Sequence, residues 1–454
     1  MSETVVGLLG FLCIAAIVIA LFRSKMLPCV AFIIFPMILA VILVIGGYYD
    51  FDNIAKLIKA GFQSTGPTAA LFVFSVLYFG IMSDAGMFDV IIRRLMKIAG
   101  GSVVGVAVMT CVIALIGHLD GGGASTFCIL IPAMLPVYKK MHMRSTSLLR
   151  IAVLAMGVLN LMPWAGPTMR AASVLDMDAG KLWGILIPIQ IFGIVLVFAN
   201  AVIVGLSEKK RGAGLDVSVA QADTKTLVNE KMTDDVNDLA RPKMFVFNVI
   251  LTISVIALLI WDIFPSYVPF MLGMGIAIIV NYLGAGLQKK VVYSHAGPAL
   301  MMCSTLMGAA VLMGILVKSV TVNDVAIPSV VTCMANLIRM ILPDVLGRHL
   351  PLVIGIISVP LALAFDTDSY FYGMLPVMIG IGESFGIPAI PIAVAMVVCR
   401  NCATFVSPMV PATLLGVGLA DVDIKDHIKS SFFWTWGFSI LCMIFAIVIG
   451  IMPL

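Results

Sequence analysis

Long apolar stretches separated by short polar intervals run along the whole chain. The stretches fall at residues 4–22, 27–48, 67–85, 148–165 and 182–206. After a polar interval they resume at 244–264, 267–285, 297–318, 388–413 and 431–451. A helix needs roughly 20 mostly apolar residues to cross a bilayer, so each stretch is read as one of ten full spans. Lipid offers no partner to backbone N–H and C=O groups, and the alternation of a barrel strand is absent, so the spans are helices. Two further apolar regions are interrupted. Residues 101–138 are broken at 117–126 and residues 349–382 at 365–369. Each half is short for a span, and each region reads as a re-entrant hairpin that enters and leaves by one side.

Composition agrees with lipid as the main solvent. Of 454 residues, 61% are hydrophobic and 11% charged, with a mean hydropathy of +1.13. A soluble domain carries about 25% charged residues. No basic stripe interleaved with aromatics points to nucleic acid. Nine cysteines are scattered, and the C-x-x-C pair Cys399 and Cys402 reads as neighbours on a buried helix rather than a redox motif. The N-terminus lacks the basic region and cleavage site of a secretory signal, so residues 4–22 are expected to stay as the first span.

The cationic residues orient the spans. Arg23 and Lys25, the group Arg93, Arg94 and Lys97, and the group Lys139, Lys140, Arg144 and Arg150 fall on one face if both interrupted regions are hairpins. So do Lys209, Lys210 and Arg211, then Lys289 and Lys290, then Lys425 and Lys429. That face is expected to be cytoplasmic, in a multi-pass protein of the cell (inner) membrane with both termini extracytoplasmic; Lys56, Lys59, Lys181, Lys318, Arg339 and Arg348 fall outside it or at interfaces and are more dispersed. Residues 207–243 are hydrophilic and read as a cytoplasmic linker.

Each half then holds five spans and one hairpin, an odd number of crossings, so the halves are expected to be inverted repeats. Residues 1–206 form the first, with scaffold helices at 1–66 and a transport part at 67–206. Residues 244–454 form the second. Local echoes support this. Gly66-Pro67 is matched by Gly297-Pro298, and Met134-Leu-Pro-Val137 by Met374-Leu-Pro-Val377. Pro163 and Asp178 are both 245 positions before Pro408 and Asp423. Inverted repeats with discontinuous helices mark secondary transporters with midplane sites.

Charged and polar groups inside a membrane are costly and mark function or pairing. Four interruptions carry them. The first tip holds His118, Asp120, Gly121–Gly123, Ser125 and Thr126. The second holds Asp366, Thr367, Asp368 and Ser369. Proline breaks follow at Asn160–Arg170, which includes Thr168, and at Arg400–Thr413, which includes Asn401 and Ser407. Pro163, Pro167, Pro408 and Pro411 remove donors and expose carbonyls. Helix N-termini after each tip favour an anion, and Arg170 and Arg400 suit a carboxylate. Asp120, Asp366 and Asp368 are hard oxygen ligands for Mg²⁺ or Ca²⁺. A bland reading stands beside each: prolines that only kink, hydroxyls bonded to their own helix, Arg170 snorkelling outward, Trp164 as an interfacial anchor. His118 titrates near neutral pH and is a candidate for a coupling proton or for a structural hydrogen bond.

The segments His118-Leu-Asp-Gly-Gly-Gly-Ala-Ser-Thr-Phe127, Leu161-Met-Pro-Trp-Ala-Gly-Pro-Thr-Met-Arg-Ala-Ala-Ser173, Asp368-Ser-Tyr-Phe-Tyr-Gly-Met-Leu-Pro-Val377 and Val406-Ser-Pro-Met-Val-Pro-Ala-Thr413 resemble the citrate–divalent metal:proton symporters of the ion-transporter superfamily. The resemblance covers nearly the whole chain outside the linker. It implies an elevator-type fold similar to the sodium–dicarboxylate symporters, a homodimer, and citrate carried with Mg²⁺ or Ca²⁺ as a co-transported cation rather than a resident cofactor. Carried over, the site is Asp120, Ser125, Thr126, Arg170, Asp366, Asp368, Ser369, Arg400 and Ser407. Gly122 departs from a pattern that often has a small polar or acidic residue there, and the second tip begins with Asp366-Thr367 rather than serines. Those departures leave the metal and the carboxylate open. A sodium-coupled di- or tricarboxylate symporter and a cation/proton antiporter remain alternatives. No H-E-x-x-H or G-x-S-x-G motif favours an enzyme.

Overall fold

In the computed structural model, which describes residues 1–23, 26–98, 102–214, 238–322 and 325–453, helices follow one another from end to end. Helices α1 (Glu3–Phe22) and α2 (Pro28–Ile45) lead into the 34-residue α3 (Phe51–Asp84) and the amphipathic α4 (Met87–Ile98). Helices α5 (Val103–Gly117) and α6 (Gly123–Lys140) form the first hairpin. Helices α7 (Ser145–Leu159) and α8 (Gly166–Val174) are two pieces of a broken helix, and α9 (Ala179–Lys210) closes the first half. The second half runs α10 (Phe245–Ile260), α11 (Tyr267–Asn281) and the 33-residue α12 (Ala285–Val317). A two-stranded ribbon, β1 (Val320–Val322) and β2 (Val325–Ile327), pairs Thr321 with Ala326. Then come α13 (Val330–Arg339), α14 (Asp344–Arg348), α15 (Leu350–Ala362), a π-helix (Ser369–Met374), α16 (Leu375–Ser384), α17 (Ala389–Cys402), α18 (Pro411–Leu419) and α19 (Ile424–Val448).

Among the described residues, eight helical segments are long and apolar enough to cross a membrane, including Val103–Asp120, the first hairpin arm. The spans expected at 148–165 and 388–413 are not continuous. Helix α7 stops at Leu159 and α17 at Cys402, and prolines restart the chain as α8 and α18. A proline donates no backbone hydrogen bond and clashes with the preceding turn, so the break follows from Pro163 and Pro408. Helix α11 is also short, at 15 residues. Conversely, α3 and α12 start well before the apolar stretches at 67 and 297. Their N-terminal parts carry Lys56 and Lys59, and Lys289 and Lys290, which hydropathy alone reads as outside the span. The short ribbon is the one departure from an all-helical reading among the described residues.

Side-chain oxygens fix several helix starts. Asp50 accepts from Asn53 N at 2.6 Å, Ser102 from Gly105 N at 3.0 Å and Ser329 from Thr332 N at 3.1 Å. Each meets one of the N–H groups a helix start leaves without an intrahelical partner. The first and second halves keep a common register late in each: α8 and α18 begin at 166 and 411, α9 and α19 at 179 and 424, both 245 positions apart. Asp176 and Asp421, also 245 apart, share a left-handed backbone with φ of 54° and 55°. Asp178 and Asp423 then cap α9 and α19, accepting from Gly180 N and Lys425 N.

Helices α3 and α12 lie along each other so closely that a Cβ on Gly314 would meet the Leu57 carbonyl oxygen at 2.5 Å. Small residues permit such backbone contact in membrane helices. Helices α7 and α17 are deeply enclosed; every residue from Ile151 to Leu159 and from Ile392 to Cys402 is buried. Their C-terminal ends carry Asn160, Arg400 and Asn401, which places those polar groups deep in the protein.

The linker expectation needs a narrower range. Helix α9 continues to Lys210, and Gly214 N donates to the Met141 carbonyl at 3.0 Å. Glu208, inside the expected linker, is fully buried and accepts from Arg144 Nε, Ser147 Oγ and Arg211. Arg241 donates to the Asn281 carbonyl. Residues 215–237, the bulk of the expected linker, and Lys25 of the first cationic group lie outside the described residues. Cys399 and Cys402 are both free thiols buried in α17.

Candidate functional site

The first tip is a dense set of hydrogen bonds. After α5 the chain makes one 3-10 turn, His118–Asp120, and Gly121 takes a left-handed φ of 71° that glycine reaches without steric cost. Asp120 Oδ1 accepts from Gly122 N at 2.7 Å and Asp120 Oδ2 from Ser125 Oγ. Thr126 donates to the Gly122 carbonyl at 2.7 Å. The buried His118 ring meets Thr126 Oγ1 through Nδ1 at 2.8 Å and Asn160 Oδ1 through Nε2 at 3.1 Å. Phe405 stands edge-on to that ring, 5.3 Å between centroids. Trp164 Nε1 donates to the Leu119 carbonyl at 2.8 Å and the ring is buried among Phe79, Trp183 and Phe270. Trp164 is therefore a brace for the tip, not an interfacial anchor.

The second tip is more open in its bonding. Asp366 accepts from the N–H of Asp368 at 3.0 Å and of Ser369 at 3.3 Å, which caps the turn that follows. That turn is π-helical, a geometry that recurs at functional sites. It aims Tyr370 at Ser358, whose Oγ lies 2.6 Å from the phenol oxygen. Asp366, Thr367 and Asp368 are half-buried. Ser369 Oγ and Tyr372 Oη are buried without a well-formed hydrogen bond among the described residues.

The two breaks supply the arginines. Arg170 on α8 donates through Nε to Asp368 Oδ1 at 2.6 Å, and its Nη2 touches Met302 Sδ of α12. It is buried rather than snorkelling. Arg400, fully buried at the end of α17, donates to the Phe365 carbonyl and to Thr404 Oγ1, each at 3.2 Å, and stands over the Tyr370 ring. Its Nε has no partner, and no carboxylate lies at ion-pair distance among the described residues. Asn401 Nδ2 donates to the Asn160 carbonyl at 3.1 Å, and Thr168 Oγ1 donates to the same oxygen at 2.7 Å. Ser407 is buried and accepts from Met409 N.

The expected residues thus gather into two joined groups. His118, Asp120, Ser125, Thr126, Asn160, Thr168 and Asn401 form one around the first tip. Arg170, Asp366, Asp368, Ser369 and Arg400 form the other around the second. Asn401, next in chain to Arg400, links them. Thr367 lies in the second tip between Asp366 and Asp368, and Ser407 is buried in the proline break after α17, bonded only locally among the described residues. No three His, Cys, Asp or Glu side chains among the described residues converge to hold a metal, so Asp120 does not join Asp366 and Asp368 in one cage. Sequence reasoning passed over Tyr370, Tyr372 and Phe405. The aromatic run directly after Asp368 was the available signal.

Residues 4–399 match the citrate transporter family. A citrate transporter of Bacillus subtilis (strain 168) is 33% identical over 98% of this chain and 99% of its own length. The Mg(2+)/citrate complex secondary transporter of the same organism is 31% identical over 98% of both. In fold, the chain is similar to the Alcanivorax borkumensis YdaH transporter, whose crystal structure shows 14% identity, covers 89% of this chain and 91% of that one, and superposes with a TM-score of 0.53. Family membership by sequence along most of the chain, joined to a membrane-helix architecture, makes this a multi-pass membrane transporter that belongs to the citrate transporter family.

Proposed function

We propose that this transporter carries citrate, or a similar carboxylate, as its complex with a divalent cation, by symport with protons. The observation that carries the reading is Arg400. A fixed positive charge buried in a membrane protein is costly unless it is paired, and among the described residues its hydrogen-bond partners are a carbonyl and a hydroxyl. An anionic cargo supplies the missing counter-charge. Asp366 and Asp368 two residues apart give hard oxygen ligands for the cation, and the citrate oxygens complete its coordination, since the described residues alone bring no three such ligands together. The Mg(2+)/citrate relative supports the cation.

His118 is the candidate for the coupled proton. As the tip is arranged, oxygens of Thr126 and Asn160 face both ring nitrogens, and Thr126 itself donates to the Gly122 carbonyl. A doubly protonated ring donates to both oxygens, and a neutral ring accepts from the Thr126 hydroxyl once that hydrogen rotates, so the site accommodates either state. The expected substrate-contacting set remains Asp120, Ser125, Thr126, Asn160, Thr168, Arg170, Thr367, Ser369, Arg400, Asn401 and Ser407.

In this reading the chain is two inverted repeats, 1–206 and 244–454, that move as an elevator within a homodimer of the cell membrane, with both termini extracytoplasmic. The constant offset of 245 from α8 to α18 and from α9 to α19 supports the repeat, as do the matched left-handed Asp176 and Asp421.

Proteoliposomes holding the purified chain test the reading. Labelled citrate should accumulate under an inward proton gradient when Mg²⁺ or Ca²⁺ is present and fall sharply in a chelator. Uptake indifferent to metal and lost without sodium would replace this mechanism with sodium symport.

A further inference from the structure

The proposed cargo is a cation joined to a polyanion, and the second tip already holds a cation–anion pair of its own. Arg170 Nε and Asp368 Oδ1 lie 2.6 Å apart, with side chains 7% and 14% exposed. The pair joins α8 of the first half to the hairpin tip of the second. Breaking such a buried pair from one side is strongly unfavourable, because the remaining charge is left without a partner.

A free carboxylate ligand at Arg170 has to displace Asp368 and strand it beside Asp366, whose own carboxylate is fixed by the N–H groups of Asp368 and Ser369. A free divalent cation at Asp368 has to strand Arg170, whose other nitrogens meet only the Met302 sulfur among the described residues. Gly166 leaves the space for that guanidinium: a Cβ there would meet Arg170 Nη1 at 2.6 Å. A ligand that carries both charges avoids either cost. Its carboxylate goes to Arg170 and its cation to Asp368. Ser369 Oγ and Tyr372 Oη, buried and without well-formed bonds, stand ready in the same turn.

We infer that the Arg170–Asp368 ion pair is the selectivity element that admits the metal–carboxylate complex and rejects either ion alone, by exchanging both partners at once. The inference rests on the reading of the cargo given above. It places selectivity in an ion pair between two of the protein's own side chains, and not in a pre-formed metal cage.

Binding of labelled citrate to the full chain in lipid nanodiscs, titrated with free Mg²⁺, tests it. Wild type should bind citrate in Mg²⁺ and at least about tenfold more weakly in chelator, and Mg²⁺ without citrate should leave no detectable binding. Asp368→Asn frees Arg170, so metal-free citrate should then bind at least about tenfold more tightly than to wild type, with the Mg²⁺ dependence largely gone. Asp368→Glu should keep the dependence. Asp368→Asn with an unchanged Mg²⁺ dependence overturns the inference and leaves the cargo reading standing. So does wild type that binds Mg²⁺ alone as well as it binds the complex, a measurement that needs no variant to fold. Wild type that binds no citrate under any condition overturns the cargo reading itself.

Discussion

Both polar tips hold an aspartate that accepts a backbone N–H, Asp120 from Gly122 and Asp366 from Asp368, yet the surrounding polar atoms are used differently. In the first, His118, Thr126, Asn160, Asp120 and Ser125 bond one another, and each ring nitrogen, carboxylate oxygen and hydroxyl has a partner, while Asn160 Nδ2 and Asn401 Oδ1 behind them are buried without a well-formed bond. In the second, Ser369 Oγ, Tyr372 Oη and Arg400 Nε are buried with capacity unspent. Buried polar groups in native proteins are nearly always bonded, so a cluster of exceptions calls for an absent partner. The charged unspent donor, Arg400 Nε, and the two unspent hydroxyls all lie at the second tip, so the contrast assigns that tip the larger share of cargo binding and the first the larger share of holding shape.

The largest effect should come from the second tip's arginine. Arg400→Gln removes a charge that hydrogen bonds to an anion worth about 1.5–3 kcal/mol would use, so citrate affinity should fall by about 10- to 150-fold, read as uptake against citrate concentration in proteoliposomes. Affinity unchanged in a folded variant breaks the assignment, because Arg400 would then be a structural charge.

Gly157→Ala acts where the two tips' supports meet. A Cβ there would approach the Asn401 carbonyl oxygen at 2.8 Å and the Cys402 Cα at 3.1 Å, both backbone atoms that cannot swing away. Overpacking of this kind costs about 1–3 kcal/mol. The unfolding midpoint in detergent should drop, and citrate binding should weaken with it, since Asn160 and Arg400 both sit at these helix ends.

A matched pair of substitutions separates the tips directly. Thr126→Val leaves His118 Nδ1 without its partner, at about 1–3 kcal/mol; it should lower the unfolding midpoint more than it lowers affinity. Ser369→Ala removes a hydroxyl that has no well-formed bond to lose. It should leave the midpoint near wild type and weaken citrate binding by roughly a factor of 2–10, the worth of one hydrogen bond. The reverse pattern would exchange the roles assigned to the tips.

Much of this contrast was hidden in the sequence, though its location was not. Glycine, proline and acidic residues inside apolar stretches marked both tips and both breaks, because such residues in lipid need a structural or chemical reason. Pairing is a different matter. Arg170 and Asp368 are 198 positions apart, and Asn160 meets Asn401 across the two halves. Nothing local records those contacts. Helix ends that leave the apolar band were also out of reach of hydropathy: α3 begins at Phe51 although its apolar stretch begins near 67. The amphipathic α4 and α13 fell into polar intervals for the same reason. Glu208 looked like the start of a hydrophilic linker, and only the fold shows its carboxylate enclosed by Arg144, Ser147 and Arg211.

The smallest expected effect compares the halves away from the tips. Asp178 and Asp423 occupy equivalent helix starts, and each accepts from the backbone two residues on, at 2.8 and 2.7 Å. Replacing an N-cap of this kind by alanine costs about 0.5–2 kcal/mol. Asp178 does more than cap. Its Oδ2 also accepts from Ser266 N and Ser266 Oγ, both at 3.1 Å, tying α9 to the loop before α11. Asp178→Ala should therefore fall near the upper end of that range and Asp423→Ala near the lower, read as unfolding midpoints in the same detergent. Neither should alter the Mg²⁺ dependence of citrate binding, since neither touches a tip. Equal midpoint shifts would mean that the extra bonds to Ser266 contribute nothing, and that the two halves differ only where the cargo is held.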